Sequence, residues 1–247
     1  MRAVHEAKMY KRNCFITLTY NDENLPERGR LKYEDFVLFM KRLRKKYGET
    51  IRFYMCGEYG DLDRPHYHAI IFGADFSGDR KVWSERKGKP VWKSKKLEEL
   101  WGKGLTEIGQ VERQSAEYVA GYVVKKMSGE AAETAYTRIN SITGETWQVL
   151  PEYGRMSLKP GIGLQYAKRF ASDMLTHGGI IGPGGQRTPL PRYFASYLKE
   201  AHSDRYEEME YQLQTRARAR PENHTPERRE AHGKILKARN RLKTRNL

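Results

Sequence analysis

Cysteine is scarce in this chain of 247 residues: Cys14 and Cys56 are the two present, each inside an apolar strand-like run and neither in a Cys-x-x-Cys spacing. That argues against a zinc–thiolate site and fits a reducing cytoplasm in which both thiols are core residues. Long apolar stretches are missing as well. No run of about 18 apolar residues is present, so nothing is expected to span a bilayer, and Met1 to Tyr10 lacks the apolar core of a secretory signal, so the chain is expected to stay where it is made. A Gly-x-x-x-x-Gly-Lys-Ser/Thr loop is absent, which excludes a recognisable nucleotide-driven motor. Acidic residues are outnumbered, 31 against 46 Lys and Arg, leaving a net charge of +15. Such a field favours a polyanionic partner, nucleic acid or an anionic membrane surface.

The length suits one sizeable domain with a tail. Residues 13–20 (NCFITLTY) alternate and are rich in aromatic and β-branched types, the mark of an interior strand, and the turn-prone NDENLP ends it. From 32 to 47 the residues Tyr33, Phe36, Val37, Met40, Leu43 and Tyr47 recur at helical spacing. Lys41, Arg42, Arg44, Lys45 and Lys46 fill the remaining face, either solvated or contacting phosphate. Residues 50–58 and 66–73 read as two strands joined by a short polar loop, hence an antiparallel hairpin. A polar surface loop is expected over 74–90, where Trp83, with Trp92 just beyond, stands among basic neighbours. Aromatics so placed either stack on unpaired bases or cap a core edge. A short helix over 95–101 and a strand over 105–111 follow. The segment 115–127 (SAEYVAGYVVKKM) predicts a helix capped by Ser115. Its apolar face would hold Ala116, Val119, Ala120, Val123 and Met127, with Tyr118, Tyr122 and Lys125 on the opposite side.

Chemistry concentrates at Pro65-His66-Tyr67-His68. Side chains alternate across a strand, so His66 and His68 stand on one face and Tyr67 on the other. Two imidazoles on one face can converge on one ion. In the expected hairpin Glu58, ending one strand, comes beside the histidines that begin the next, with Asp61 and Asp63 as competing acids. A carboxylate joined to two imidazoles makes a mixed nitrogen and oxygen site that suits Mg²⁺ or Mn²⁺ better than structural zinc. Tyr118 and Tyr122, at i and i+4, point the same way one turn apart, as reactive groups or as ordinary amphipathic contacts.

Three segments in this order, FITLTY at 15–20, PHYH at 65–68 and YVAGYVVK at 118–125, resemble the motifs of HUH endonucleases of the rolling-circle replication initiator class. The chain as a whole resembles initiators of microviruses of the gokushovirus type, the likeness covering 13–170 and including RMSLKPGIG at 155–163. The tyrosines follow the histidines, unlike the usual order in conjugative relaxases. The resemblance implies an α+β fold, a ferredoxin-like antiparallel sheet with helices. It implies a divalent metal, Mg²⁺ or Mn²⁺, on His66 and His68 with Glu58 as third ligand. Catalysis would fall to Tyr118 and Tyr122 as nucleophiles, with Lys125 contributing positive field. The implied reaction nicks single-stranded origin DNA, leaves a 5′-phosphotyrosine link and a 3′-hydroxyl primer, and later rejoins the strand. A host helicase and polymerase would be the partners, in the cytoplasm of a bacterial host. A related tyrosine transposase or relaxase, or a non-catalytic basic DNA-binding protein, are the rival readings.

The remainder organises around this domain. Residues 128–153 read as a polar, strand-poor insertion. Residues 155–161 look like a loop, phosphate-holding or simply a turn, leading into a helix over 162–175. The expected division is 1–177 for the endonuclease-like domain, 178–192 (beginning GGIIGPGG) for a Gly/Pro-rich linker, and 193–247 for a basic, helical or flexible tail with a helix over 193–214. From 211 to 247 there are eleven Lys or Arg against three acids. Such an arm contacts DNA backbone or a host replication protein.

Overall fold

The computed structural model describes residues 1–60, 63–125, 130–140, 142–219 and 221–244, with the side chains at 122–125, 130, 131, 183, 223, 224 and 240–244 outside that description. Met1–Gly163 and Leu164–Leu247 form two compact units.

The first unit runs α1 (Arg2–Ala7), β1 (Asn13–Thr19), α2 (Tyr33–Tyr47), β2 (Arg52–Tyr59), β3 (Pro65–Phe72), β4 (Lys81–Arg86), β5 (Lys89–Lys93), α3 (Lys95–Trp101), β6 (Thr106–Gly109), α4 (Arg113–Lys125), α5 (Glu130–Tyr136), β7 (Thr137–Ile139), β8 (Thr146–Gln148) and β9 (Tyr153–Met156). Seven strands make one sheet in the order β4-β5-β6-β1-β3-β2-β9, antiparallel at every pairing. This is the expected α+β architecture, with β7 and β8 forming a separate small hairpin.

Alternation decides which face of the sheet does what. Cys14, Ile16 and Leu18 of β1 are fully buried and join Met55, Tyr67, Ala69 and Ile71 under Phe36, Phe39, Met40 and Leu43 of α2 and Leu97 and Trp101 of α3. Burying such side chains is the main driving force for this layer, about 1.5–3 kcal/mol each. Its polar exceptions are paired. Tyr67 Oη accepts from Lys32 N and donates to Lys32 O, at 2.9 and 2.8 Å, and Tyr20 donates to Asp35 at 2.9 Å. On the opposite face Ala116 and Val119 of α4 pack with Cys56, Ile70, Phe72, Ala3 and Ile162. The site lies on this second face.

Several segments differ from the sequence reading. Residues 74–90, expected as a loop, contain β4 and run into β5. The turn between them is Lys87-Gly88, with φ of 52° and 75°, the two positive values that suit a tight hairpin. The strand signal is weak because β4 is exposed along most of its length, so no alternation marks it. The span 128–153 holds α5 and the β7–β8 hairpin among its described residues, and β9 begins at Tyr153 where 155–161 was expected as loop. These strands have three or four residues, too few for a period to register. Helix α4 starts at Arg113, two residues before Ser115. The Ser115 hydroxyl instead reaches back, accepting from Glu112 N at 2.8 Å and donating to Glu112 O at 2.9 Å. Ala120 is exposed rather than on the packed face; the side chain of Val123, and Met127, lie outside the described residues.

The second unit comprises α6 (Leu164–Arg169), α7 (Ala171–His177), β10 (Ile180–Ile181), β11 (Arg187–Thr188), α8 (Arg192–Ala201), α9 (Ser203–Arg218) and α10 (Pro226–Thr244). The unit boundary at 163/164 precedes the sequence boundary at 177/178 because α6 and α7 pack with α8 and α9. Within 178–192, Ile180 pairs with Thr188 and Ile181 with Arg187 in a hairpin. The helix expected over 193–214 is two helices broken at His202, whose φ and ψ are −145° and 49°. The basic tail is helical in α10. No helix among the described residues is long and apolar enough to cross a membrane.

Candidate active site

The β2–β3 hairpin sets Glu58 directly opposite His66 and Cys56 opposite His68. Strand alternation then brings Glu58, His66 and His68 together on the face beneath α4. Glu58 Oε1 is 2.8 Å from His66 Nε2 and 2.6 Å from His68 Nε2, and ligand atoms of all three residues lie within 4.8 Å of one another. Glu58 is 2% exposed and His68 8%.

Neighbouring groups orient both imidazoles. His66 Nδ1 lies 3.0 Å from Arg64 O; a carbonyl only accepts, so Nδ1 carries the hydrogen and Nε2 turns to the cluster. His68 Nδ1 lies 2.9 Å from Thr17 Oγ1. The Phe15 ring stacks on His68 with centroids 5.4 Å apart and planes 8° from parallel. Burial lowers the pKa of His68, opposed by Glu58, so the neutral imidazole with a free lone pair is the favoured form.

This donor set fits a divalent cation. Two imidazole nitrogens and a carboxylate oxygen converge, the carboxylate supplies compensating charge, and the far nitrogen of each ring has its own partner, as metal-ligating histidines require. Asp63, a competing acid, pairs with Arg138 at 2.8 Å. Asp61 lies outside the described residues.

Helix α4 brings Tyr118 to the same cluster. Its hydroxyl donates to Glu58 Oε1 at 3.0 Å and lies 3.4 Å from His68 Nε2. The Tyr118 ring meets His68 edge-on, with centroids 4.9 Å apart and planes at 88°. The side of α4 opposite the apolar stripe, to which the pattern assigned Tyr118, thus includes the direction of the histidines rather than open solvent alone. The Tyr122 and Lys125 side chains lie outside the described residues. Sequence reasoning passed over Phe15, Thr17 and Arg64 as site residues. For the first two a signal existed: they are the odd-numbered partners of the buried set in β1, and so share the histidine face.

Residues 13–127, which span the whole cluster and Tyr118, match the family of the phage replication-associated protein ORF2. The chain is also 31% identical over 230 residues to the replication-associated protein VP4 of Bdellovibrio phage phiMH2K, covering 89% of this chain and 68% of that protein. It belongs to the phage replication-associated protein family. Two further family members are 30% identical over 208 residues, the ORF2 protein of Spiroplasma virus 4, and 28% identical over 213 residues, the ORF4 protein of Chlamydia phage 1. These alignments cover 79% and 83% of this chain, which spans 61% and 50% of the two relatives' lengths. No solved structure matches this replication-associated protein.

Proposed function

We propose that this protein initiates rolling-circle replication of a single-stranded DNA phage by nicking one strand at the origin. The observation that supports this most is the Tyr118 hydroxyl, 3.0 Å from Glu58 and 3.4 Å from His68, a nucleophile beside a cation-binding cluster. A phenol has a pKa near 10, so attack near neutral pH requires a group to take its proton. Glu58 Oε1 is already the acceptor of that hydrogen. Tyr118 Oη attacks phosphorus, the P–O3′ bond breaks, and the leaving oxygen takes up a proton to become a 3′-hydroxyl. The 5′ phosphate ends as a phosphotyrosine ester, so one phosphodiester replaces another without ATP, and attack by a 3′-hydroxyl reverses it to rejoin the strand. Mg²⁺ or Mn²⁺ held by His66, His68 and Glu58 would polarise the scissile phosphate and offset its developing charge.

Tyr122, one turn along α4, serves as the second nucleophile, cleaving the regenerated origin while Tyr118 holds the first 5′ end; Lys125 adds positive field. The basic tail holds DNA backbone in a salt-sensitive manner. A host helicase separates the strands and a host polymerase extends the 3′-hydroxyl, in the cytoplasm of the infected bacterium.

The test is to incubate the chain with single-stranded phage origin DNA and Mn²⁺ and look for a covalent 5′ adduct on a denaturing gel. The adduct should form with wild type, vanish when Tyr118 and Tyr122 are both changed to Phe, and be lost in His66→Ala while DNA binding persists. Binding without any adduct on phage origin sequences would return the chain to a non-catalytic DNA-binding role. An adduct that survives the double Phe change would assign the nucleophile elsewhere.

A further inference from the structure

The sheet face that carries the histidines continues past them. Thr17 pairs with His68 across β1–β3 and with Glu107 across β1–β6. Trp92 of β5 pairs with Ile108, so the next residue, Lys93, projects from the opposite side, the face of Glu107, Thr17 and His68. Arg64, His66, Thr17, Arg86 and Lys93 line one groove of about 510 Å³. Its one acid in that row, Glu107, is neutralised by Arg86 at 2.8 Å. The groove begins at the candidate metal ligands and is basic along its length.

At its far end stands Trp83. Lys93 Nζ lies 3.8 Å from the centre of its ring, which puts Trp83 on the groove's face of the sheet. The ladder shifts register between Val82 and Ser84, making Trp83 the extra residue of a bulge, a device that redirects a side chain. The indole is 63% exposed and neighbouring Val82 68% exposed, on the outermost strand. Exposed apolar side chains at a sheet edge invite aggregation and are ordinarily avoided. Trp101, by contrast, is fully buried. An exposed indole beside a lysine, at the end of a basic groove, has the chemistry that binds an unpaired base by stacking and its phosphate by charge.

We infer that Trp83 is a stacking platform for a base of the single-stranded DNA that runs along this groove into the candidate active site. This rests on the nicking function proposed above for its substrate class. Four strand spacings of about 4.8 Å separate β3 from β4, roughly 19 Å. At about 3.4 Å per nucleotide in a stacked strand that is about six nucleotides, and fewer in an extended one. Trp83 would therefore hold a base several nucleotides from the phosphate under attack.

The experiment titrates the full chain with oligothymidylate of about 20 nucleotides, following tryptophan emission and affinity across a range of salt. Trp83→Ala should weaken binding about 5- to 100-fold at every salt concentration, with an unchanged salt slope, because a stacking contact is lost and no phosphate contact is. Trp83→Phe should recover most of the affinity, and the wild-type-minus-Trp83→Phe emission should be quenched by DNA. Affinity for Trp83→Ala within about twofold of wild type, or no quenching in the difference signal, overturns the assignment. Failure here with adduct formation intact leaves the nicking function standing. Loss of the adduct reaction with the Trp83 effect preserved leaves a stacking site on a binding protein.

Discussion

Thr17 Oγ1 and His68 Nδ1 lie 2.9 Å apart, between residues that are direct partners across β1 and β3. The hydroxyl fixes which ring nitrogen faces Glu58. Thr17→Val keeps the branched shape and strand preference but removes the partner, so Mn²⁺ affinity should fall by about 10- to 100-fold. Thr17→Ser should restore it. Calorimetric titration of the full chain with Mn²⁺ measures this; equal affinity in wild type and Thr17→Val would show that the contact does not orient the ring.

His5, buried in α1, has its pKa lowered to about 4, first by burial and then by Lys8 and the amino terminus. Unfolded histidine takes up its proton near pH 6.5. Between these values the unfolded chain binds a proton that the folded chain does not, so this contribution is intact above about pH 6.5 and is lost as pH falls towards 4. The full loss is on the order of 3 kcal/mol. Urea unfolding of wild type and His5→Leu at about pH 7 and about pH 4.5 isolates it. The variant should lose less stability on acidification than wild type, and parallel losses would contradict the assignment.

Gly104 has φ of +142°, and a Cβ there would come within 2.3 Å of Asn21 N and 2.5 Å of Thr19 O. Both are backbone atoms at the end of β1, with no rotamer through which to retreat. Gly104→Ala should cost about 3 kcal/mol or more. Thermal unfolding reads the loss directly, and a shift in midpoint of less than a few degrees would mean that the crossing yields more easily than its contacts suggest.

Where one face of an element was buried, its periodicity was legible. The buried alternation of β1, the helical stripe of α2 and the His-x-His of β3 each announced both an element and its orientation. Glu58 was legible for the same reason, since a short loop between two strands leaves few registers. The β4–β5 hairpin was not, because a strand exposed along most of its length has no hydrophobic period. Thr17 was hidden differently. It is 51 residues from His68, and only the pairing of β1 with β3 brings them together; no local pattern contains that pairing. The break at His202 and the packing of α6 and α7 with α8 and α9 are likewise tertiary choices.

Strand β3 is held on both sides, by β1 and β2, and carries Tyr67 on one face with His66 and His68 on the other. A slip of one residue would exchange the faces, driving two imidazoles in among Phe36, Met55 and Trp101 and stranding the Tyr67 hydroxyl away from Lys32. The same hydrogen bonds that close the aromatic core therefore serve as an assembly checkpoint. A chain that has not finished folding has no cluster of Glu58, His66 and His68, and it remains chemically silent until the core has accepted the right strand register.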